Sequence, residues 1–157
     1  MLGDNESTIN GTATDADMGE SFLDLGENLN DVPDLILIDD NTEARVRLTK
    51  AIVKDSKTTA GNKYIEAYVV ADDFPNSPAI RIMMMLPSAD SDAKQKMDRL
   101  RNIKDFCTAF GVQQVGTKLL LEAAVANQPW AWAIIGIEKG EGEYKDKNRI
   151  KRFVAKR

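Results

Sequence analysis

The first 43 residues carry twelve acidic side chains and no lysine or arginine, a charge of −12. The other 114 residues hold all 21 Lys and Arg against 13 acids, a net charge of +8 that the whole-chain value of −4 conceals. Like charges along one short stretch repel. Between Met1 and Asn30 only Phe22 is aromatic, so little burial is on offer to offset the entropy of ordering. Residues 1–33 are therefore predicted to form an acidic, largely disordered arm. The pattern changes at Asp31-Val32-Pro33. Leu35-Ile36-Leu37-Ile38 is an apolar run closed by the turn-forming Asp39-Asp40-Asn41, and one folded domain is predicted over residues 34–157. A basic body is the electrostatic footprint of a protein that meets a polyanion, most commonly nucleic acid.

The residue types that are missing close most routes to catalysis. With no histidine there is no Ser-His or Cys-His nucleophile, no imidazole base and no His-containing zinc site, and the single Cys107 cannot form an all-cysteine one. Glu138, Glu141, Glu143 and Asp146 alternate with Gly140, Gly142 and lysines, the make-up of a solvated hairpin loop without EF-hand spacing. No enzyme activity, metal or cofactor is expected. No stretch reaches the ~18 consecutive apolar residues of a membrane span, and the N-terminus lacks the basic-then-apolar layout of a signal peptide. A soluble cytoplasmic protein is expected.

Along the body, Arg45-Val46-Arg47-Leu48-Thr49 alternates polar with apolar and continues through Ala51-Ile52-Val53, with an irregularity near Lys50. Tyr64 to Ala71 is a second strand pattern, and Ala79 to Leu86 is a third, ended by Pro87. A helix follows, with Ser88, Asp90 or Ser91 as its N-cap, Gly111 as its stop, and Met97, Leu100, Ile103, Cys107 and Phe110 as its apolar stripe. Thr117 to Ala126 is predicted as a second short helix. Trp130 to Ile137 and Asn148 to Ala155 complete the strands. The order β-β-β-α-β-β predicts a mainly β OB-fold, a five-stranded Greek-key barrel with a helix between its third and fourth strands. An SH3-like barrel or a small sandwich would also accommodate five strands of these lengths.

Alternation separates the faces of each strand. Val46 and Leu48 point inward and Arg45 and Arg47 outward; Ile65, Ala67, Val69 and Ala71 point inward and Tyr64, Glu66 and Tyr68 outward. Ile80, Ile82 and Met84 oppose Arg81, Met83 and Met85. On the last strand Ile150 and Val154 are predicted inward and Arg149, Lys151 and Phe153 outward, which leaves Arg152 on the inward parity unless the strand bulges or ends early. Trp130 and Trp132 share parity with Ile134 and are assigned to the core on the area they would bury, with base stacking as the alternative. The candidate nucleic-acid-binding set is thus Arg45, Arg47, Tyr64, Tyr68, Arg81, Arg149, Lys151 and Phe153, cations for phosphate and rings for bases.

These segments resemble phage-encoded single-stranded-DNA-binding proteins of the OB-fold type. The resemblance runs from about Asp34 to Arg157. It rests on Asp40-Asn41-Thr42-Glu43-Ala44-Arg45-Val46, on Asp55-Ser56-Lys57 with Gly61-Asn62-Lys63-Tyr64-Ile65, on Phe106-Cys107-Thr108-Ala109-Phe110-Gly111, and on Tyr144 to Phe153. Many members carry an acidic recruiting tail at the C-terminus; here the acidic arm comes first, with Phe22-Leu23-Asp24-Leu25 as its apolar patch. The resemblance implies a protein that coats transient single strands in the host cytoplasm during replication or recombination. The charge split adds an expectation of its own, that bound DNA frees the arm and its patch for a replication or recombination protein. The resemblance leaves RNA binding and homo-oligomerisation open. The rival reading is an OB-type protein-interaction or virion module that binds no nucleic acid.

Overall fold

The computed structural model describes residues 21–58 and 61–155. The chain divides into two units, Met1–Asp34 and Leu35–Arg157. In the first unit, the predicted disorder of residues 1–20 lies outside the described residues. Residues 21–34 contain one 3-10 turn, Leu29–Asp31, whose cap Asn28 accepts a hydrogen bond from the Asn30 backbone N–H at 2.9 Å. The apolar side chains Phe22, Leu23, Leu25, Leu29 and Val32 are all exposed.

The second unit is mainly β. In chain order it runs β1 (Thr42–Asp55), β2 (Lys63–Ala71), β3 (Ile80–Met85), α1 (Ala93–Phe110), β4 (Gln114–Val115), β5 (Lys118–Leu119), α2 (Leu121–Ala126), β6 (Trp130–Glu138) and β7 (Lys147–Val154). Five strands form one antiparallel sheet in the order β3-β2-β1-β6-β7. The inward rows predicted for the first three strands hold: Val46, Leu48, Ile65, Val69 and Ile80 are essentially inaccessible to water. The edge strands β3 and β7 touch. No backbone ladder joins them among the described residues, so the sheet is open along that seam.

Two β-bulges set which side chains face the core. In β1 the register slips between Leu48 and Lys50, making Thr49 the extra residue; its hydroxyl donates to the Tyr68 carbonyl at 3.1 Å. In β7 the slip spans Ile134/Ile135 of the partner strand, which pair with Arg152 and Ile150, so Lys151 is the extra residue. Each bulge reverses the parity that follows it. The second one overturns two predicted orientations. Phe153 turns inward against Phe106 and Phe110, with ring centroids 6.5 and 5.4 Å away, and Val154 lies opposite Trp132 on the outer face.

Helix α1 ends as predicted at Gly111, which takes a left-handed φ of 68° that a side chain would strain. Its start is one residue later than the predicted caps: Asp92 accepts from the Gln95 backbone N–H at 2.7 Å. The buried stripe is Ile103, Phe106 and Phe110, with Cys107 half-buried beside it. Met97 and Leu100, predicted as part of that stripe, remain 48% and 41% exposed, because only the C-terminal half of the helix lies over the core. The predicted helix over Thr117–Ala126 is shorter at its start, where Gly116 turns a small β4–β5 hairpin. Asn148 locks the entrance of the unit. Its side chain is buried, accepts from the Ile38 N–H at 2.9 Å and donates to the carbonyls of Ile38 and Gly136 at 2.8 and 3.2 Å.

Candidate nucleic-acid interface

Because side chains alternate across a strand, cross-strand partners share a face, and the register maps the outer surface of the sheet row by row. From the β2–β3 end these rows are Tyr64 with Lys54 and Met85; Glu66 with Ile52 and Met83; and Tyr68 with Lys50 and Arg81. After the β1 bulge come Arg47 with Val70 and Trp130, Arg45 with Trp132 and Val154, and Ile134 with Glu43 and Arg152. Arg149 faces Gly136 at the far end.

Four aromatic side chains therefore share this face: Tyr64, Tyr68, Trp130 and Trp132. The tryptophans correct their assignment to the core. Ala131, Ala133 and Ile135 are the buried residues of β6, while Trp130 is exposed and Trp132 half-buried on the opposite side. Helix α1 packs against β6 with its large rings, and small alanines on the strand's inner face leave room for them. Two cations lie over rings of the outer face. The Arg45 guanidinium sits 5.1 Å from the Trp130 ring and the Lys50 ammonium 5.6 Å from that of Tyr68.

The predicted cations differ in how far their charge is already spent. Arg47 forms a forked contact with Asp72, Nη2 to Oδ1 at 2.9 Å, and donates to Gln128 at 3.1 Å. That hydrogen bond and the charge behind it raise the guanidinium pKa and hold the Asp72 carboxyl below the usual range. Arg81 bonds Glu66 at 2.7 Å. Lys151, the bulge residue, lays its stem across Gly136 and reaches Asp40 and Asn41; a Cβ at Gly136 would collide with that stem. Asp40 in turn is held below the usual carboxylate range, first by the Ile137 backbone N–H and then by Lys151, against the opposing pull of desolvation. Arg45, Lys50, Arg149 and Arg152 form no ion pair with a described residue.

Of the predicted set, then, Arg45, Arg47, Tyr64, Tyr68, Arg81 and Arg149 lie on the outer face, Lys151 is tied down at its bulge, and Phe153 belongs to the core. Trp130, Trp132, Lys50 and Arg152 join the face and were not in that set. Beyond β6, the loop between β6 and β7 is fastened by Asp146, which accepts from the Gly140 N–H at 2.9 Å and from Lys139 at 3.2 Å, and holds Tyr144 82% exposed. A groove of about 1220 Å³ opens beside the face where β3 and β7 fail to pair, lined among others by Met83, Phe110, Trp132, Arg152 and Val154.

Among the described residues no group of His, Cys, Asp or Glu is placed to hold a metal ion, and no helix is long and apolar enough to cross a membrane. The Cys107 thiol is pushed up by burial, away from the reactive thiolate form. No protein-family model matches the chain, and no curated protein matches it.

Proposed function

We propose that the Leu35–Arg157 unit is a single-stranded nucleic-acid-binding domain of the OB type, acting first of all on DNA through the outer face of its sheet. One observation carries the reading: four aromatic rings share one sheet face with cations, and two of those cations already lie over a ring. Each exposed π-face can stack a base of any sequence, and the neighbouring cations meet the phosphates. The antiparallel order β3-β2-β1-β6-β7, with its main helix before β6 and a gap between β3 and β7, supports the OB reading, since that barrel is itself partly open. The sequence resemblance extends the proposal to coating of single strands during phage replication or recombination in the host cytoplasm, without bond-making chemistry.

The two tryptophans of the chain both lie on the proposed face, so its intrinsic fluorescence is a direct reporter. Titration with oligo-dT should quench that emission, and matched duplex should bind more weakly because its bases are locked in the stack. Arg45, Lys50, Arg149 and Arg152, each meeting a phosphate, should together contribute about −3 to the log-log salt slope, at ~0.7 per phosphate. A parallel titration with oligo-U separates DNA from RNA preference. Equal affinity for duplex and single strand, or binding indifferent to salt, would hand the face to a protein partner instead.

A further inference from the structure

We propose that Glu66 is a built-in counter-ion of this face, one that competes with phosphate for Lys54 and Arg81 and so keeps the β2–β3 end from gripping a polyanion tightly. The inference rests on the nucleic-acid reading above and adds a residue that reading does not use. Alternation along β2 places Glu66 on the outer row between Tyr64 and Tyr68, at the β2–β3 end of the stacking surface. An acid there opposes the charge of the ligand. It is also buried: Glu66 is 4% exposed.

A buried carboxylate is costly unless it is paired and hydrogen-bonded. Glu66 is paired twice, from two different strands. Arg81 of β3 donates through Nε to Oε2 at 2.7 Å, and Lys54 of β1 donates to Oε1 at 3.2 Å. Burial pushes the carboxyl pKa up, but the hydrogen bonds and charges of Lys54 and Arg81 outweigh it and leave the group below the usual range, ionised at neutral pH. The cations themselves are open to solvent, with side chains 46% and 42% exposed. Arg81 spends one edge of its guanidinium on Glu66 and turns another toward the Met83 sulfur, so its remaining donors can still meet a phosphate.

The three side chains together therefore carry one net positive charge where the two cations alone would carry two. Fewer counterions are released when such a cluster meets a phosphate backbone, and binding at this end leans on stacking by Tyr64 and Tyr68. A face built in this way tolerates salt and lets go of a strand more readily than its count of lysines and arginines implies.

The test uses the full chain and oligo-dT. Glu66→Gln keeps the size of the side chain and an oxygen to accept from Arg81. It should steepen the log-log salt slope by ~0.7, so that its advantage over the native protein grows about fivefold for each tenfold fall in salt. An unchanged or shallower slope in a variant that folds overturns the proposal. Should Glu66→Gln fail to fold by circular dichroism, the charge-free cluster Lys54→Met, Glu66→Gln and Arg81→Met takes its place. Its slope should fall by ~0.7, whereas a fall of ~1.4, as for two independent cations, or no change overturns the proposal. If the native protein shows no affinity for oligo-dT at any salt, the reading of the face fails and this inference fails with it.

Discussion

Residues 21–34 and the body that begins at Leu35 treat charge and apolar surface in opposite ways. In the body, several acids are answered by cations: Asp72 by Arg47, Glu66 by Lys54 and Arg81, Asp40 by Lys151 with the Ile137 N–H, Asp146 by Lys139 with the Gly140 N–H. Its apolar side chains are gathered between sheet and helix. Residues 21–34 contain no cation to answer Asp24, Glu27, Asp31 or Asp34, among the described residues Asp24 accepts only from the Gly26 backbone N–H at 2.8 Å, and every large apolar side chain is exposed. Folding power thus depends less on how many apolar residues a segment has than on whether the residues between them let the backbone hold a regular element. Phe22, Leu25, Leu29 and Val32 recur at three- and four-residue steps, yet Asp24, Gly26, Asn28 and Asn30 between them are poor helix formers, and the segment forms only the 3-10 turn Leu29–Asp31.

The contrast is most sharply exposed by stability. Asn148→Ala removes three hydrogen bonds and leaves the Ile38 N–H and C=O without partners, which should cost the body about 3 kcal/mol in urea denaturation, at ~1–3 kcal/mol per buried group left unsatisfied. Deleting residues 1–30 should change the same transition by less than ~0.5 kcal/mol. A truncation that destabilises the body as much as Asn148→Ala would break the division between the two units.

Next in size is the stacking contribution. Trp130→Ala and Tyr68→Ala should each weaken oligo-dT binding by ~1–3 kcal/mol with little change in salt slope, since no formal charge is lost. Phe153→Leu, read by the same titration, should leave binding unchanged, because the ring it replaces packs in the core with Phe110. Binding losses for Phe153→Leu equal to those for Trp130→Ala would restore the inverted face.

A smaller effect joins the two units electrostatically. Residues 1–30 hold seven acids, Asp4, Glu6, Asp15, Asp17, Glu20, Asp24 and Glu27, tethered to a basic body at high effective concentration. We expect their deletion to tighten oligo-dT binding at low salt and to have almost no effect near ~0.5 M, where screening lengths fall to a few ångströms. Affinity equal to that of the full chain at low salt would show that the arm does not compete with DNA. The smallest effect concerns spent charge. Arg47→Met together with Asp72→Asn removes a pair of zero net charge and should leave the salt slope nearly unchanged, while Arg149→Ala should reduce it by ~0.7.

How far such residues could be assigned from the sequence depended on local spacing. The β1 bulge is visible as the three-residue step from Leu48 to Ala51, and it was expected near Lys50. The same step from Ile150 to Phe153 marks the β7 bulge, and the misfit parity of Arg152 points to it; strict alternation from Ile150 selects Val154 instead of Phe153 as the inward residue, which the bulge reverses. Trp130 and Trp132 carry no such local signal. Both parities of β6 are apolar, so alternation cannot tell its faces apart, and the size of a tryptophan argues for burial.

The sequence by itself determined what is additive or periodic: the split of −12 from +8, the absence of imidazole chemistry, the three strands before the main helix and the Gly111 stop. These follow from composition or from residues within a few positions of one another. Only the tertiary structure decided which cations are free and which rings are outside. Arg47 meets Asp72 and Gln128 across 25 and 81 residues, Lys151 meets Asn41 across 110, and the rings of α1 compete with the tryptophans of β6 for one volume. Charge pairing and core volume are settled between distant segments, and no local pattern carries them.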